Sequence, residues 1–353
     1  MRKGKRLIAW IMAVVMLFTI CVFGGNGTAE AAATTPVAKH GRLSVKGADL
    51  VDSKGNKFQL RGISTHGINW DVGSPYMNKK AFKTLRDDWG VNAIRLAMYT
   101  EEYNGYCSGG SQAKLRKLVD KGVGYATDLG MYAIIDWHIL SDGNPNKNKS
   151  QAKKFFTTMA KKYKNNKNVI YEICNEPNGC SWKEIKSYAT DIIKTIRKYD
   201  KKAVIIVGTP TWSQLGTDGT SNEVADSPIK GYKNIMYSLH FYASEWAHNE
   251  YLPAKVAYAR KKKLPIIVSE FGLSPASGDG AINKASADKW MKLLNKYNIS
   301  YFCWSLSNKN ESASMLKPST KKTSGWKSGD LSTAGKYIKK KYLARKKALG
   351  KKA

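Results

Sequence analysis

Short apolar runs alternate along the chain with longer segments that have one apolar face. The apolar runs are QLRGIST, VNAIRLAMY, MYAIIDWHI, NVIYEICNE, KAVIIVGTP, NIMYSLHFY, PIIVSEFG and SYFCWSLS. The segments between them, such as SWKEIKSYATDIIKTIRKYD, carry apolar residues at helical spacing. Continuous apolar strands that alternate with amphipathic helices are typical of a parallel sheet with a covered outer face, so the pattern predicts successive βα units.

Eight such units predict that the sheet closes on itself. We therefore expect an α/β fold in the form of a single (β/α)8 TIM barrel. A doubly wound open sheet is the alternative, but no Gly-rich phosphate loop follows the first strand and eight units suit closure better. Ahead of the barrel, GRLSVKGADLVDSKGNKFQLRGIS alternates apolar and polar residues around DSKGN, which predicts an N-terminal β-hairpin. No repeat or linker divides the chain, so residues 34–353 are expected to form one domain with a short basic C-terminal tail.

Residues 1–33 are interpreted as a secretory signal peptide. MRKGKR supplies positive charge, LIAWIMAVVMLFTICVF an apolar segment, and TAEAAA the small residues of a cleavage site. We therefore expect a secreted, extracellular protein with no stable membrane insertion after cleavage. An uncleaved anchor is the alternative, because the apolar segment is near the lower length for spanning a bilayer.

Four cysteines remain beyond the signal peptide: Cys107, Cys174, Cys180 and Cys303. They allow three pairings, and the sequence does not choose among them. Isolated buried thiols or one incidental bridge are expected instead of a disulfide framework, because a chain of this length builds a large core.

The chain is strongly basic, and most of its positive charge comes from lysine. The formal net charge is +32, from 59 Lys and Arg against 27 Asp and Glu. Nucleic acid is not expected as a partner, because base readout favours arginine, which is scarce here, and no nucleic-acid-binding motif is present. We interpret the charge as a solvated lysine-rich surface on a protein that we expect to be monomeric. The alternative is that it attracts anionic cell-wall polymers.

Familiar cofactor and nucleophile motifs are absent from the sequence. It contains no HExxH or CxxC pattern for zinc, no GxSxG elbow and no GxxxxGK[ST] loop. We therefore expect neither a metal nor another cofactor.

Polar and aromatic residues stand at the carboxyl ends of six of the eight predicted strands. Active-site groups of a (β/α)8 barrel lie at these ends, so we expect the side chains to meet at one rim. They are Arg95, His138, Asn175 with Glu176, His240 with Tyr242, Glu270 and Trp304.

Two of these groups are carboxylates, Glu176 on the fourth strand and Glu270 on the seventh. Two facing carboxylates are what glycoside cleavage requires, one as acid and the other as nucleophile or base. Their environments must separate their pKa values, and we expect Arg95 and Tyr242 to keep one of them ionised. Asn175 is expected to hydrogen-bond the sugar hydroxyl beside the reacting carbon.

Two further expectations concern residues outside this set. Glu172 and Asp136 lie inside strands, where we expect them to hold neighbours by hydrogen bonds. His40 and His248 show no partner in the sequence and are expected to be exposed.

The chain resembles the family 5 glycoside hydrolases (cellulase family A), within them the bacterial endo-β-1,4-glucanases. The motifs are AIRLAMYT, IIDWHILSDGNPN, VIYEICNEPNG, VGTPTWSQ, MYSLHFYA, IIVSEFGLSPASGDG and CWSLSNKNES, in the family's order, over roughly residues 58–335. The resemblance implies a retaining double displacement with Glu176 as acid/base and Glu270 as nucleophile. It implies supporting roles for Arg95, His138, Asn175, His240, Tyr242 and Trp304. It also implies sugar contacts at His66, Trp70, Tyr99, Trp212, Ala276, Lys309 and Glu311.

The expected partner is therefore a β-glucan polysaccharide. Phe271 stands where many relatives have tryptophan, and Pro275 stiffens the following loop, so the subsites near the reacting sugar are expected to differ in shape. A β-mannanase or a mixed-linkage β-glucanase on the same scaffold is one alternative. A catalytically inactive, wall-associated carbohydrate-binding protein is another.

Overall fold

The computed structural model describes residues 35–350, and the predicted signal peptide lies outside them. Eight parallel strands close into a barrel in the order β10-β3-β4-β5-β6-β7-β8-β9, which confirms the predicted fold. Within the described range, no helix combines the length and hydropathy needed to cross a bilayer.

Two short strands precede the eight strands of the barrel. The strands are β1 (Ser44–Lys46), β2 (Asp49–Val51), β3 (Arg61–Thr65), β4 (Ala93–Tyr99), β5 (Tyr132–His138), β6 (Val169–Glu172), β7 (Ile205–Val207), β8 (Ile235–Tyr242), β9 (Ile266–Gly272) and β10 (Tyr301–Leu306). The helices are α1 (Pro36–His40), α2 (Lys79–Trp89), α3 (Gln112–Asp128), α4 (Lys149–Tyr163), α5 (Trp182–Arg197), α6 (Pro210–Ser213), α7 (Glu223–Asp226), α8 (Trp246–Lys261), α9 (Lys284–Lys296) and α10 (Thr333–Gly350).

The predicted N-terminal hairpin is present, although its turn is not at DSKGN. β1 and β2 pair in antiparallel register across a turn that contains Gly47, whose φ is 59°. DSKGN forms a second reversal, closed by a bridge between Val51 and Lys57. This second turn is held by Asp52, whose Oδ1 accepts hydrogen bonds from the backbone N–H groups of Lys54 and Asn56.

Local sequence signals determine where an outer helix begins and which of its sides is buried. α5 begins with a capping box, in which Ser181 Oγ accepts from the Glu184 N–H and the Glu184 carboxylate accepts from the Ser181 N–H. Ile185, Ile192 and Ile196 then recur on one buried face of α5. This face packs into the apolar layer between the barrel and its helices.

The basic C-terminal stretch belongs to α10 and docks on the amino ends of the strands. Tyr342 donates its hydroxyl hydrogen to the carbonyl of Gly62 at 2.8 Å, and Arg345 Nε donates to Gln59 Oε1 at 2.8 Å. The apolar side of α10 is thereby buried, while its lysines remain at the surface.

The barrel interior is divided into an apolar layer and a polar layer. Side chains from the amino halves of the strands form a separate cluster, onto which Leu43, Leu50, Phe58 and Leu60 fold from the preceding segment. Gly62 makes room in this layer, because a Cβ there would lie 2.0 Å from the ring of Phe302. The polar layer lies above it, towards the carboxyl ends.

All four cysteines of the described range are free thiols, in line with the expectation of isolated thiols. Cys174 and Cys303 are buried, and Cys107 and Cys180 are partly buried. Burial raises the pKa of the Cys180 thiol to about 11, with a smaller contribution from Glu184.

Candidate active site

The two candidate carboxylates meet at the carboxyl end of the barrel. Glu176 follows the end of β6 by four residues, and Glu270 lies in β9 opposite His240 of β8. One carboxylate oxygen of each glutamate and one ring nitrogen of His240 all lie within 4.8 Å of one another. Two glutamates that are 94 residues apart in the sequence, from 176 to 270, thus share one small site.

Glu270 is held by two hydrogen-bond donors. Arg95 Nη1 donates to Oε2 at 2.9 Å, and the Tyr242 hydroxyl donates to Oε1 at 2.7 Å. The side chain is only 6 % exposed, so both donors act on the carboxylate with little screening by water. Burial and the negative charge of Glu270 raise the pKa of Tyr242 well above its usual value, which keeps the tyrosine a donor.

Glu176 has a different environment. Its nearest hydrogen-bond partner is the neighbouring imidazole, with Oε1 2.8 Å from His240 Nδ1, and its side chain is 12 % exposed. Burial raises the pKa of Glu176 to about 8, against the opposing charge of Arg95, so this carboxyl is mostly protonated at neutral pH.

His240 is suited to hold a protonated Glu176. Burial lowers the pKa of His240 to about 4, so the ring is neutral at neutral pH. Its Nε2 lies 2.9 Å from Ser269 Oγ, which in turn lies 2.5 Å from Ser238 Oγ. Either neutral tautomer satisfies both contacts: Nδ1–H donates to Glu176 while Nε2 accepts from Ser269, or the protonated Glu176 donates to Nδ1 while Nε2–H donates to Ser269.

Arg95 links the polar layer together. It is completely buried, and its Nε donates to Glu172 at 2.7 Å while its Nη2 lies 3.1 Å from Asp136. Burial lowers the pKa of the guanidinium, but Asp136, Glu172 and Glu270 outweigh it and raise the pKa overall. The expectation that Glu172 and Asp136 hold neighbours by hydrogen bonds is confirmed.

Asn175 and His138 are fixed by the same layer. Asp136 Oδ2 lies 2.6 Å from His138 Nδ1, and burial lowers the pKa of His138 well below its usual value. Asn175 Oδ1 accepts from Arg95 Nη2, while its Nδ2 donates to the carbonyl of Ile139 at 3.0 Å and lies 3.3 Å from His138 Nε2. The amide next to Glu176 therefore has one orientation.

Aromatic rings form one wall beside the carboxylates. Trp304 stacks on His138 with ring centroids 5.3 Å apart and lies 5.1 Å from the ring of His66. Trp70 stacks on Tyr99 at 4.3 Å, and the edge of Tyr99 meets His138 at 4.2 Å. The structure thus joins four predicted site residues to His138 in one connected wall: His66, Trp70, Tyr99 and Trp304.

The remaining candidates lie at the rim. Lys309 Nζ lies 2.5 Å from Glu311, whose carboxylate is 3.9 Å from His66 Nε2. Ala276 is exposed, and its backbone N–H donates to Glu245 at 2.7 Å, which joins the loops after β8 and β9.

Trp212 stands apart from the aromatic wall. Its ring is 44 % exposed and makes no ring contact with another aromatic residue of the described range, while its backbone N–H donates to the carbonyl of Pro177. This hydrogen bond places the Trp212 backbone directly beside the residue that follows Glu176.

Sequence reasoning missed Ser269, which holds His240, and was wrong about His40 and His248, which are not exposed. His248 is buried, and its Nδ1 accepts from the backbone N–H of Tyr242 at 2.9 Å. His40 is partly buried and lies 3.0 Å from Asp52. Ser269 reaches His240 because the β8–β9 register shifts between Ser238 and His240, an irregularity with no signal in the alternation pattern.

Comparisons with known proteins identify the family of the chain. The family model described as cellulase (glycosyl hydrolase family 5) matches residues 51–310. An endoglucanase from Clostridium saccharobutylicum is 47 % identical over 341 residues, which is 95 % of this chain and 72 % of the relative.

Solved structures of similar fold also include endoglucanases. The catalytic domain of Thermobifida fusca endoglucanase Cel5A is 37 % identical with a TM-score of 0.83, over 88 % of this chain and 99 % of that chain. A variant of that domain in complex with cellotetraose is 36 % identical with a TM-score of 0.81 over the same shares. The chain therefore belongs to family 5 of the glycosyl hydrolases, the cellulases, and is a glycoside hydrolase of the endoglucanase type.

Proposed function

We propose that this enzyme hydrolyses internal β-1,4-glucosidic bonds of cellulose and related β-glucans with net retention of configuration. Glu176 is the acid/base and Glu270 the nucleophile. The observation that carries the proposal is the separation of their oxygens, within 4.8 Å, in two unlike environments. Retaining enzymes hold the two carboxyl groups about 5–5.5 Å apart, whereas inverting enzymes hold them about 6.5–9.5 Å apart to admit a water molecule.

The first displacement begins with Glu176 protonated. Glu176 donates its proton to the glycosidic oxygen as the bond from this oxygen to the anomeric carbon breaks. A carboxylate oxygen of Glu270 attacks the anomeric carbon from the opposite face, and the shortened sugar chain leaves with the proton. The product of this step is a glycosyl ester of Glu270, and Glu176 is left as a carboxylate.

The second displacement reverses the roles. Glu176 accepts a proton from a water molecule whose oxygen attacks the anomeric carbon. The bond to Glu270 breaks, which returns Glu270 to its carboxylate form within reach of Arg95 and Tyr242. Both glutamates end in their starting states, and two inversions give net retention.

The neighbouring groups support binding of a flat, equatorially substituted chain. Trp70 and Trp304 offer apolar surface to pyranose rings, with Tyr99 packed against Trp70, and Lys309 and Glu311 offer charged hydrogen-bond partners for hydroxyl groups. Asn175 is positioned next to Glu176 to contact the hydroxyl beside the reacting carbon. A relative of similar fold was crystallised with cellotetraose, which favours a β-1,4-glucan.

Hydrolysis of cellopentaose followed by proton NMR tests the mechanism. We expect β-configured reducing ends to form first and then to mutarotate. Initial α-configured product would contradict the double displacement and would point to an inverting route.

A substrate panel tests the specificity. We expect the highest kcat/KM on carboxymethylcellulose and amorphous cellulose, lower values on mixed-linkage glucan, and little release from mannan. A higher value on mannan would instead identify a β-mannanase, and a higher value on mixed-linkage glucan would identify a mixed-linkage glucanase. Absence of reducing ends from every glycan would identify an inactive carbohydrate-binding protein.

We also propose that the enzyme is secreted as a monomer after removal of residues 1–33, a segment outside the described residues. Its basic start, apolar middle and Ala-rich end support this. Mass spectrometry of the protein from a culture supernatant, with light scattering on the same sample, tests both points. A retained N-terminal segment or a dimeric mass would contradict them.

A further inference from the structure

A basic groove lies on the face of the barrel opposite the carboxylates. Its volume is about 620 Å³, and it is lined by residues around α1 and the hairpin, by the α4–β6 loop and by the α5–β7 loop. The last two loops contribute Lys164 and Lys167 just before β6, and Lys201 and Lys202 just before β7. Because Glu176 follows the other end of β6, a ligand in the groove leaves the active-site cleft open.

The groove lysines have no acidic partners. Some other lysines do pair with carboxylates; Lys162, for example, lies 2.7 Å from Asp120. Among the described residues, none forms an ion pair with the four groove lysines, which are all exposed: Lys164, Lys167, Lys201 and Lys202. Their positive charges are therefore uncompensated within one small concavity.

The single acidic residue among those lining the groove is already engaged. Asp200 is 1 % exposed, and its Oδ1 accepts from the backbone N–H groups of Lys202 and Ala203. Its carboxylate supports the α5–β7 turn and presents almost no surface to a ligand.

Arg42 adds an unsatisfied donor to the groove. Its Nη2 donates to the carbonyl of Lys164 at 3.2 Å, which holds the guanidinium in place. Its Nη1 is buried, has no hydrogen-bond partner and lies 3.9 Å from the nearest Asp200 oxygen. A buried donor without an acceptor is costly, and a small shift of the guanidinium towards an anion in the groove would satisfy it.

We propose that this groove binds a phosphate-bearing polymer, such as a polyol-phosphate chain. Its cationic donors come from three separate segments and approach the concavity from different directions. A tetrahedral phosphodiester accepts hydrogen bonds in three dimensions, whereas a carboxylate accepts in one plane. Binding through this face anchors the enzyme to an anionic surface while its cleft faces outward. The inference is independent of the catalytic mechanism proposed above.

The test compares two variants that lose the same charge. The groove variant carries Lys164→Gln, Lys167→Gln, Lys201→Gln and Lys202→Gln. The control variant carries substitutions of four exposed lysines of α3 and α4 that have no ion pair: Lys114→Gln, Lys117→Gln, Lys153→Gln and Lys154→Gln. Neither set belongs to the catalytic site, so activity on carboxymethylcellulose is expected to stay unchanged and reports correct folding.

Binding of a glycerol-phosphate decamer is measured by calorimetry at low and at physiological salt. At physiological salt we expect the groove variant to lose at least about tenfold in affinity and the control variant less than about threefold, because charges remote from the ligand are then largely screened. An equal loss in both variants, or no binding by the wild-type enzyme, would overturn the proposal.

Two further ligands test the chemistry and the source of the phosphate. Polygalacturonate of similar charge is expected to bind about tenfold more weakly than the decamer, since its carboxylates fit only one plane of donors. Equal binding would overturn the choice of phosphate. Inorganic pyrophosphate is expected to bind much more weakly than the decamer, and equal affinity would overturn the choice of a polymer.

Discussion

Two layers of the barrel interior differ completely, although the same strands supply both. The lower layer is apolar and close-packed, and the upper layer holds a buried guanidinium, carboxylates and hydroxyls. On six of the eight strands the two layers are only two residues apart. The pairs, lower residue first, are Ala93 and Arg95, Ile134 and Asp136, Ile170 and Glu172, Met236 and Ser238, Ile267 and Ser269, and Phe302 and Trp304.

The difference shows how the fold divides its tasks. Side chains two residues apart point to the same face of a strand, so a single inward-facing pattern builds both layers. The apolar layer stabilises the barrel by burial alone. The polar layer stabilises only if every charge is compensated, and in return it sets the environments of Glu176 and Glu270.

The largest effect is expected from removing the carboxylates above the polar layer. Glu270→Gln should lower kcat on carboxymethylcellulose by about 10⁴-fold or more, because no nucleophile remains to form the glycosyl ester. Glu176→Gln should lower it by about 10²–10⁴-fold, because the leaving group is no longer protonated. Both values come from steady-state release of reducing ends.

An activated substrate separates the two roles. On 2,4-dinitrophenyl cellobioside, whose leaving group needs no proton, Glu176→Gln should release a burst of dinitrophenol at a rate near that of the wild type. Glu270→Gln should give no burst. A burst from Glu270→Gln, or full activity on cellulose in either variant, would contradict the assignment.

Breaking the compensation within the polar layer should cost stability as well as activity. Arg95→Met leaves Asp136 and Glu172 buried without their counter-charge, and we expect it to lower the free energy of unfolding by about 3–5 kcal/mol. Ile134→Val, one step down the same interior, should lower it by only about 0.5–1.5 kcal/mol. Urea denaturation at pH 7 measures both.

A compensated variant tests the reason for that loss. Adding Asp136→Asn and Glu172→Gln to Arg95→Met removes the unpaired charges and should recover part of the stability, but not the activity. If Arg95→Met cost no more than Ile134→Val, the buried charges would not be coupled as the contacts indicate.

The protonation of Glu176 predicts the alkaline side of the pH profile. Glu176 acts as an acid only when protonated, and the fraction protonated is high below its pKa of about 8 and falls above it. The kcat/KM on cellopentaose should therefore fall by about tenfold per pH unit well above pH 8. Circular dichroism at each pH confirms that the enzyme remains folded.

The same profile in a variant provides the control. In Glu176→Gln, assayed with cellopentaose at high enzyme concentration, the fall near pH 8 should disappear from the residual kcat/KM. An unchanged alkaline midpoint in this variant would assign the fall to another group.

The apolar layer should respond to added volume and not to charge. Gly62→Ala places a methyl group against the Phe302 ring, and we expect it to lower the free energy of unfolding by about 1–3 kcal/mol with kcat per folded molecule unchanged. Thermal and urea unfolding measure the loss.

A second glycine is the matched control. Gly124 lies in α3, and no other part of the described chain comes within 4 Å of the point where an added methyl group would stand. Gly124→Ala should therefore stabilise by about 0.5–1 kcal/mol. If Gly62→Ala behaved in the same way, the lower layer would be less tightly packed than the contacts indicate.

Most of the architecture followed from periodicity. Eight apolar runs separated by amphipathic helices predicted the closed barrel, and strand ends predicted which polar groups would share a rim. The hairpin turn was misplaced because both Gly47 and DSKGN carry turn residues, and a pattern of alternation does not rank two adjacent turns.

Hydrogen bonds between residues remote in the sequence could not be predicted. His248 looked free along the chain but accepts the backbone N–H of Tyr242. Ser269 reaches His240 only because the strand register shifts. No local pattern reports either contact, since each forms only after separate segments are packed.

By itself the sequence determined the strand and helix order, the set of rim residues and the excess of lysine, because these depend on residue type and spacing. Only the tertiary structure decided which carboxylate is desolvated beside an imidazole and which accepts from Arg95 and Tyr242. The tertiary structure also decided which lysines lie together in the groove without an ion-pair partner. The reason is physical: burial, hydrogen-bond geometry and electrostatic coupling depend on distances in three dimensions, and distances between remote residues are set only when the barrel closes.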